Sequence, residues 1–107
     1  MDSGAPMRAA LWAAALLAMS AAGAARADAQ TLEQARGALA QGNPKQAFEL
    51  LAPLDGKLAG QPEFDYLLGV AALDSGRLDD AIIAFERVLA VQPNHAGAQM
   101  DLARAYY

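Results

Sequence analysis

The chain has 107 residues, a formal net charge of -4 and a pI of about 4.7, which limits it to one small domain. This acidic balance, without a run of lysine and arginine, excludes a nucleic-acid backbone as the main partner, because nucleic-acid binders gain affinity from clustered basic side chains. The absence of cysteine excludes disulfides, thiolate metal sites and a lipid-modified cysteine.

Residues 1–27 are predicted to be a secretory signal peptide. Arg8 is followed by an uncharged run, AALWAAALLAMSAAGAA, and then by ARADAQ, in which small residues precede two candidate cleavage points. We expect cleavage after Ala27, with the bond after Ala29 as second choice. The alternative is a retained membrane anchor, but the run is shorter than the ~20 apolar residues that a spanning helix needs.

Cleavage after Ala27 would determine the composition of the mature chain. Without residues 1–27, and therefore without Asp2, Arg8 and Arg26, the segment 28–107 keeps six basic and eleven acidic side chains, a formal net charge of -5. Because Asp2 lies where a signal peptide is normally positive, Met7 is an alternative start. The expected location is the bacterial periplasm or cell envelope.

Residues 28–107 repeat at positions 34 apart, and a period between about 20 and 50 residues indicates a repeat architecture. The matching positions are Gly42 and Gly76, Ala47 and Ala81, Leu51 and Phe85, Leu54 and Val88, the triple Ala35, Gly69 and Ala103, and the triple Ala38, Ala72 and Tyr106. The frames are therefore 28–61, 62–95 and 96–107, the last one incomplete.

The first frame is predicted to form two helices joined by a tight turn. Thr31 with Gln34 has the spacing of a capping box, Gly42 ends the first helix, and Asn43 before Pro44 begins the second. The polar segment DGKLAGQP that follows contains two glycines, four positions apart, and is predicted to be a loop.

The second frame has sharper boundaries. A helix is predicted from Pro62 to about residue 74, a turn at residues 75–76, and a second helix over about residues 78–91, which Pro93 prevents from continuing. The small residues Gly69 and Ala81 are predicted to face each other where the two helices cross, with Phe85 filling the core beside them.

Seven residues of this frame have the spacing of a known repeat: Leu68, Gly69, Ala72, Gly76, Ala81, Phe85 and Pro93. They resemble the tetratricopeptide repeat (TPR), which has the same period. Asp65 stands where the family often has tryptophan. The first frame matches more loosely, and the third keeps Leu102, Ala103 and Tyr106. The resemblance implies an all-α fold, a TPR-type α-solenoid of antiparallel helix pairs.

The resemblance also implies a binding surface, because the first helices of stacked pairs line a concave face. Frame positions 5, 9 and 12 would lie there: Leu32, Arg36, Leu39, Tyr66, Val70, Leu73, Met100, Arg104 and Tyr107. Apolar side chains with two arginines predict a protein or peptide partner with apolar anchors and an acidic group. The alternative is that the apolar members only pack against adjacent repeats.

No catalytic, cofactor-binding or metal-binding residues are predicted. His95 is the only histidine and is interpreted as a plain turn residue, since one imidazole completes neither a nucleophile pair nor a zinc site. The carboxylates of the second frame are interpreted as solvated helix faces: Asp65, Asp74, Asp79, Asp80 and Glu86. The chain is therefore not expected to be an enzyme.

The resulting hypothesis is an exported protein-binding scaffold. As an alternative, the segment from Phe64 to Tyr107 resembles the repeat region of surface lipoprotein assembly modifiers, which implies the periplasmic part of an outer-membrane export protein; a catalytic domain further downstream is a third possibility. Because the third frame lacks its second helix, we expect a fragment of a longer protein, with residues 28–107 only marginally stable alone.

Overall fold

The computed structural model describes the backbone of residues 5–107 and the side chains of residues 22–107. The elements of the described part are helical: α1 (Ala5–Ala40), α2 (Pro44–Leu51), a 3-10 turn (Ala52–Leu54), α3 (Asp55–Leu58), α4 (Pro62–Asp74), α5 (Leu78–Val91) and α6 (Ala96–Tyr106). The predicted all-α fold class is confirmed. The chain divides into two compact units, Met1–Gln30 and Thr31–Tyr107, and the repeat positions compared below lie in the second.

Most side chains of the predicted signal peptide lie outside the part of the chain that the structure describes. Its apolar run, residues 9–25, has described side chains only from residue 22 onward, and cleavage after Ala27 stays a prediction. Within the part of the chain that the structure describes, no helix combines the length and the apolar character needed to span a membrane.

Helix α1 begins much earlier than the capping box indicated. Thr31 and Gln34 lie inside this helix, so the helix start predicted at Thr31 is wrong. The physical reason is that the segment before Thr31 is rich in alanine and contains no proline between Ala22 and Gln30, and alanine has the highest helix propensity. A capping motif does not end a helix whose preceding residues favour helix this strongly.

Identical turns close the first helix of each complete frame. After α1, the Asn43 N–H donates to the Ala38 carbonyl at 2.8 Å and the Gly42 N–H donates to the Leu39 carbonyl at 3.1 Å. The corresponding groups after α4, one repeat period further along the chain, make the same two bonds at the same distances. This pair of bonds is a Schellman motif, whose left-handed residue is usually glycine, and Gly42 and Gly76 have φ of 78° and 79°. The predicted turns are confirmed.

The second helix of the first frame is interrupted. Helix α2 ends at Leu51, where Pro53 in the 3-10 turn lacks the N–H that a continuing α-helix would use. The segment predicted to be a loop then forms the one-turn helix α3, which contains Gly56; only after it does the chain turn, with Gly60 at φ 95°. The loop prediction is therefore wrong for Asp55–Leu58.

The core of the second compact unit, Thr31–Tyr107, is built from two clusters of small and large apolar side chains. The first contains Ala35, Ala38, Ala47, Leu51, Leu58, Phe64, Leu68, Ala71 and Ala84, and the second contains Ala72, Ala81, Phe85, Val88 and Ala98. So many alanines let the helices approach closely, and the long side chains fill the spaces between them. The prediction that Phe85 belongs to the core is confirmed, since the residue is fully buried.

Gly69 on α4 and Ala81 on α5 are both buried, as the sequence predicted. A Cβ at Gly69 would lie 2.5 Å from Cε1 and 2.7 Å from Cδ1 of Phe85. The glycine therefore makes room for the aromatic ring of α5, as expected for a small residue beside Phe85, and its predicted contact with Ala81 stays a prediction. An edge of the ring fits against bare backbone where another residue would clash.

Candidate functional site

The residues predicted to bind a partner lie on α1, α4 and α6, with Tyr107 directly after α6, and we call the surface that carries them the groove face. Its apolar members are partly buried: Leu32 and Leu39 pack against the first core cluster, and Val70 and Leu73 against the second. Met100 is 65% exposed, and Tyr107 is fully exposed at the last position. Met100 and the polar and aromatic members therefore shape the accessible surface.

Tyr66 is the centre of the groove face. Its ring lies 4.7 Å from that of His95 and 5.9 Å from that of Phe85, centroid to centroid, and its hydroxyl donates to Oδ2 of Asp101 at 2.8 Å. Burial raises the pKa of this phenol, and the hydrogen bond to the Asp101 carboxylate and its charge raise it further. Tyr66 is thus a fixed aromatic wall that links α4 to α6.

Gly97 allows this link to form. A Cβ on this residue would lie 2.7 Å from the Tyr66 hydroxyl oxygen, so a larger residue would displace either this hydroxyl or the start of α6. A glycine next to a helix start does not by itself indicate a close contact, so the role of Gly97 was not predicted from the sequence.

His95 has a structural role that the sequence analysis missed. It occupies the N-cap position of α6, and its Nδ1 accepts a hydrogen bond from the Ala98 N–H at 2.9 Å. This bond satisfies one of the free N–H groups at the helix start. His95 lies in a turn as predicted, but it is not a plain turn residue, since it caps α6 and packs against the Tyr66 ring.

A cavity of about 480 Å³ opens beside Tyr66. Its walls are Arg36, Pro62, Glu63, Tyr66, Leu67, Gln92 and His95. The structure therefore brings together two of the predicted binding residues, Arg36 and Tyr66, which lie in different frames of the sequence. It also adds Glu63, Pro62 and His95, which the sequence analysis had not assigned to the surface.

Both arginines of the groove face are held by two carboxylates. Arg36 pairs with Glu33, one turn earlier in α1, and with Glu63 in the first turn of α4. Arg104 pairs with Asp101, one turn earlier in α6, at 2.8 Å and with Asp74 at the end of α4 at 3.8 Å.

A sequence pattern could have revealed these pairs. Glu33 with Arg36 and Asp101 with Arg104 have the same spacing, and the two pairs are separated by twice the repeat period. On a helix, residues three apart are neighbours on one face. The two arginines were predicted to lie on this surface, but the acids that accompany them were not.

A second charged group lies away from the groove face. Asp65 is fully buried; its Oδ2 accepts from the Gly60 N–H at 2.8 Å, and its Oδ1 lies 3.1 Å from Nη2 of Arg87. Arg87 also donates to Asp55 at 2.7 Å. Interpreting Asp65 as a solvated carboxylate was therefore wrong.

Burial raises the pKa of Asp65, and this effect exceeds the opposing effects of the Gly60 N–H and the Arg87 charge. The partners of this carboxylate come from other elements than its own helix. Because those contacts tie α4 to α5 and to the turn after α3, they indicate a structural rather than a chemical role.

The arrangement offers surface for contact and no recognisable reaction centre among the described side chains. Within that part of the chain, no three histidine, cysteine or carboxylate groups come together to hold a metal ion. The imidazole of His95 is occupied as a helix cap.

Comparison with known proteins gives one result. The sequence profile of the tetratricopeptide repeat matches residues 32–87 and again residues 66–107, which together cover the repeat unit and most of the chain. No curated protein and no solved structure matches significantly. Tetratricopeptide repeats are generally non-catalytic modules for protein–protein interaction. With its repeat period, paired helices and matching turns, the chain belongs to the tetratricopeptide repeat family.

Proposed function

We propose that this protein is an exported, non-catalytic scaffold of the bacterial periplasm or cell envelope that binds a protein or peptide on its groove face. The observation that carries the proposal is the cavity beside Tyr66, which combines two aromatic rings and a proline with charged side chains from α1 and α4. Aromatic and arginine residues dominate the energetics of protein interfaces. The family supports the class of function, and the leader-like segment 1–27 supports export.

Binding can be tested without a known partner. Short random peptides displayed on phage are selected on the full chain, and one enriched peptide is synthesised and titrated by fluorescence anisotropy. We expect the double variant Tyr66→Ala, Arg104→Ala to weaken binding by roughly tenfold or more, because the variant removes the aromatic wall of the cavity, and buried aromatic side chains dominate interface energetics.

The matched control is Lys45→Ala with Glu49→Ala, two exposed positions on α2 that do not line the cavity beside Tyr66. This control should bind like the unaltered chain, and both variants should keep the helix content measured by circular dichroism. Enriched peptides that bind the Tyr66 variant with full affinity, or a selection that enriches none, would place binding elsewhere and contradict the proposal.

A further inference from the structure

The two arginines of the groove face do not make it basic. Four carboxylates surround them, Glu33 and Glu63 at Arg36 and Asp74 and Asp101 at Arg104. Each guanidinium is therefore shared by two negative groups, and these six side chains together carry a net charge of -2. The acidic partner group predicted from the arginines alone would meet a surface whose positive charges are already compensated.

The two carboxylates that pair with Arg36 remain accessible, and one of them, Glu63, lines the cavity. The side chains of Glu33 and Glu63 are 73% and 70% exposed, whereas that of Arg36 is 37% exposed. A carboxylate offers about four acceptor positions on its two oxygens, so contact with one guanidinium leaves acceptors that face the solvent. Negative charge is thus presented outward by Glu63, which lines the cavity, and by Glu33, which pairs with the same arginine.

The remaining walls suit the stem of a long basic side chain. Pro62, Leu67 and the rings of Tyr66 and His95 form the apolar part of the cavity. Lysine and arginine bury their methylene groups against apolar surface while the charged end stays at a polar edge. A tyrosine ring also attracts a cation placed over its face.

We propose that the partner of the groove face is a peptide segment with a lysine or arginine that enters this cavity, its cation held by Glu33 and Glu63 and its stem packed on Tyr66. This inference rests on the proposed binding function. The net charge of the whole chain, -4, acts in the same direction, because opposite charge steers a basic partner towards the protein.

Three substitutions test the sign of the charge. In the peptide selection on the full chain, the enriched sequences should carry lysine or arginine beside apolar residues. For a synthetic peptide from that set, Glu63→Gln should weaken binding by about three- to tenfold, because it removes one carboxylate from the cavity mouth. Arg36→Gln should strengthen binding, because it removes the cation that competes for Glu33 and Glu63. Glu49→Gln is the control, because it makes the same charge change at an exposed position of α2, and it should leave affinity unchanged.

The outcomes separate this inference from the function on which it rests. Peptides that depend on Tyr66 but are acidic, or that lose affinity with Arg36→Gln, would overturn the basic partner and leave the groove face as the binding site. Peptides that bind independently of Tyr66, or no enrichment at all, would count against both. Replacing the lysine or arginine of the peptide by norleucine should reproduce the loss seen with Glu63→Gln, and no loss would overturn the inference.

Discussion

Gly69 sets how closely α4 and α5 can pack. The space where its side chain would lie is occupied by the buried ring of Phe85, whose nearest carbon would be 2.5 Å from a Cβ at that position. This is far closer than non-bonded carbon atoms approach at their optimum of about 3.5–4.0 Å. The ring cannot swing into solvent, because Phe85 is surrounded by the second core cluster.

Gly69→Ala should therefore destabilise the protein although alanine is the better helix former. The gain in helix propensity is about 1 kcal/mol, and overpacking a well-filled core costs about 1–3 kcal/mol, so we expect a net loss in the free energy of unfolding. Gly37→Ala is the matched control, since Gly37 lies inside α1 with nothing within 4 Å of its Cβ position. Urea denaturation should show the control to be unchanged or more stable. Equal gains for both variants would mean that the Phe85 ring moves freely.

At this scale, the sequence predicted which residues are buried better than which residues touch. The repeat period placed Ala81 and Phe85 in the core correctly, because both follow from spacing along one helix. The contact of Gly69 with Phe85 depends on how α4 is rotated against α5, which spacing along one helix does not determine. The burial of Asp65 likewise depends on Arg87 and the Gly60 N–H arriving from other elements.

Asp65 joins three elements, and its ionisation should therefore affect how they hold together. It lies in α4, accepts a hydrogen bond from the turn after α3, and contacts Arg87 of α5. Burial raises its pKa above the ordinary value of 3.8. A raised pKa in the folded state means that folding favours the protonated carboxyl, so this stabilisation is complete below the ordinary pKa of 3.8 and is lost as the pH rises through the folded-state pKa.

The comparison with Asp65→Asn isolates this effect, because asparagine cannot ionise and its side-chain oxygen can still accept from Gly60. Urea midpoints should be measured at several values between about pH 3.5 and pH 7. We expect the stability of the unaltered chain relative to Asp65→Asn to fall as the pH rises. Asp79→Asn, at an exposed position in the first turn of α5, is the control. If the stability of the unaltered chain relative to Asp65→Asn instead increases with rising pH, the ion pair with Arg87 outweighs desolvation of the carboxylate.

The predictability of the helices depends on how local their boundaries are. The bounds of α4 and α5 could be predicted because Pro62, Gly76 and Pro93 lie in the chain next to the ends that they determine. The start of α1 was not predicted, because the alanine-rich segment before Thr31 favours helix more strongly than a capping box favours a start. The end of α2 could have been predicted from Pro53. The second frame has no proline at the corresponding position, so comparison of the two frames did not reveal this end.

Across the whole molecule, repetition explains both what the sequence revealed and what it obscured. The period identified the family, the paired helices and the groove face. It also drew attention to Arg36 and Arg104 as single positive charges, while their compensation depends on acids from the same helix and from α4. Such compensation between elements becomes visible only when the helices are assembled. The charge of the groove face is therefore a property of the assembled helices.

The segment before residue 28 predicts the cellular location of the whole chain. An arginine, Arg8, before a long uncharged run and small residues at the cleavage positions are typical of a secretory signal peptide. When the full chain is expressed in a bacterial host, we expect periplasmic protein whose intact mass corresponds to Asp28 as first residue, with Gln30 as second choice.

Ala27→Leu gives the sharpest control, because Ala27 is the last residue before the first cleavage point and the third-last before the second. Signal peptides need small residues at both positions, so this one substitution should block both cuts, whereas Ala29→Leu should leave cleavage after Ala27 intact. A membrane-bound product that keeps residues 9–25 without any substitution would show that the leader is a retained anchor. The groove face would then act from a membrane-tethered protein, and binding of the basic peptides would be expected in the membrane fraction.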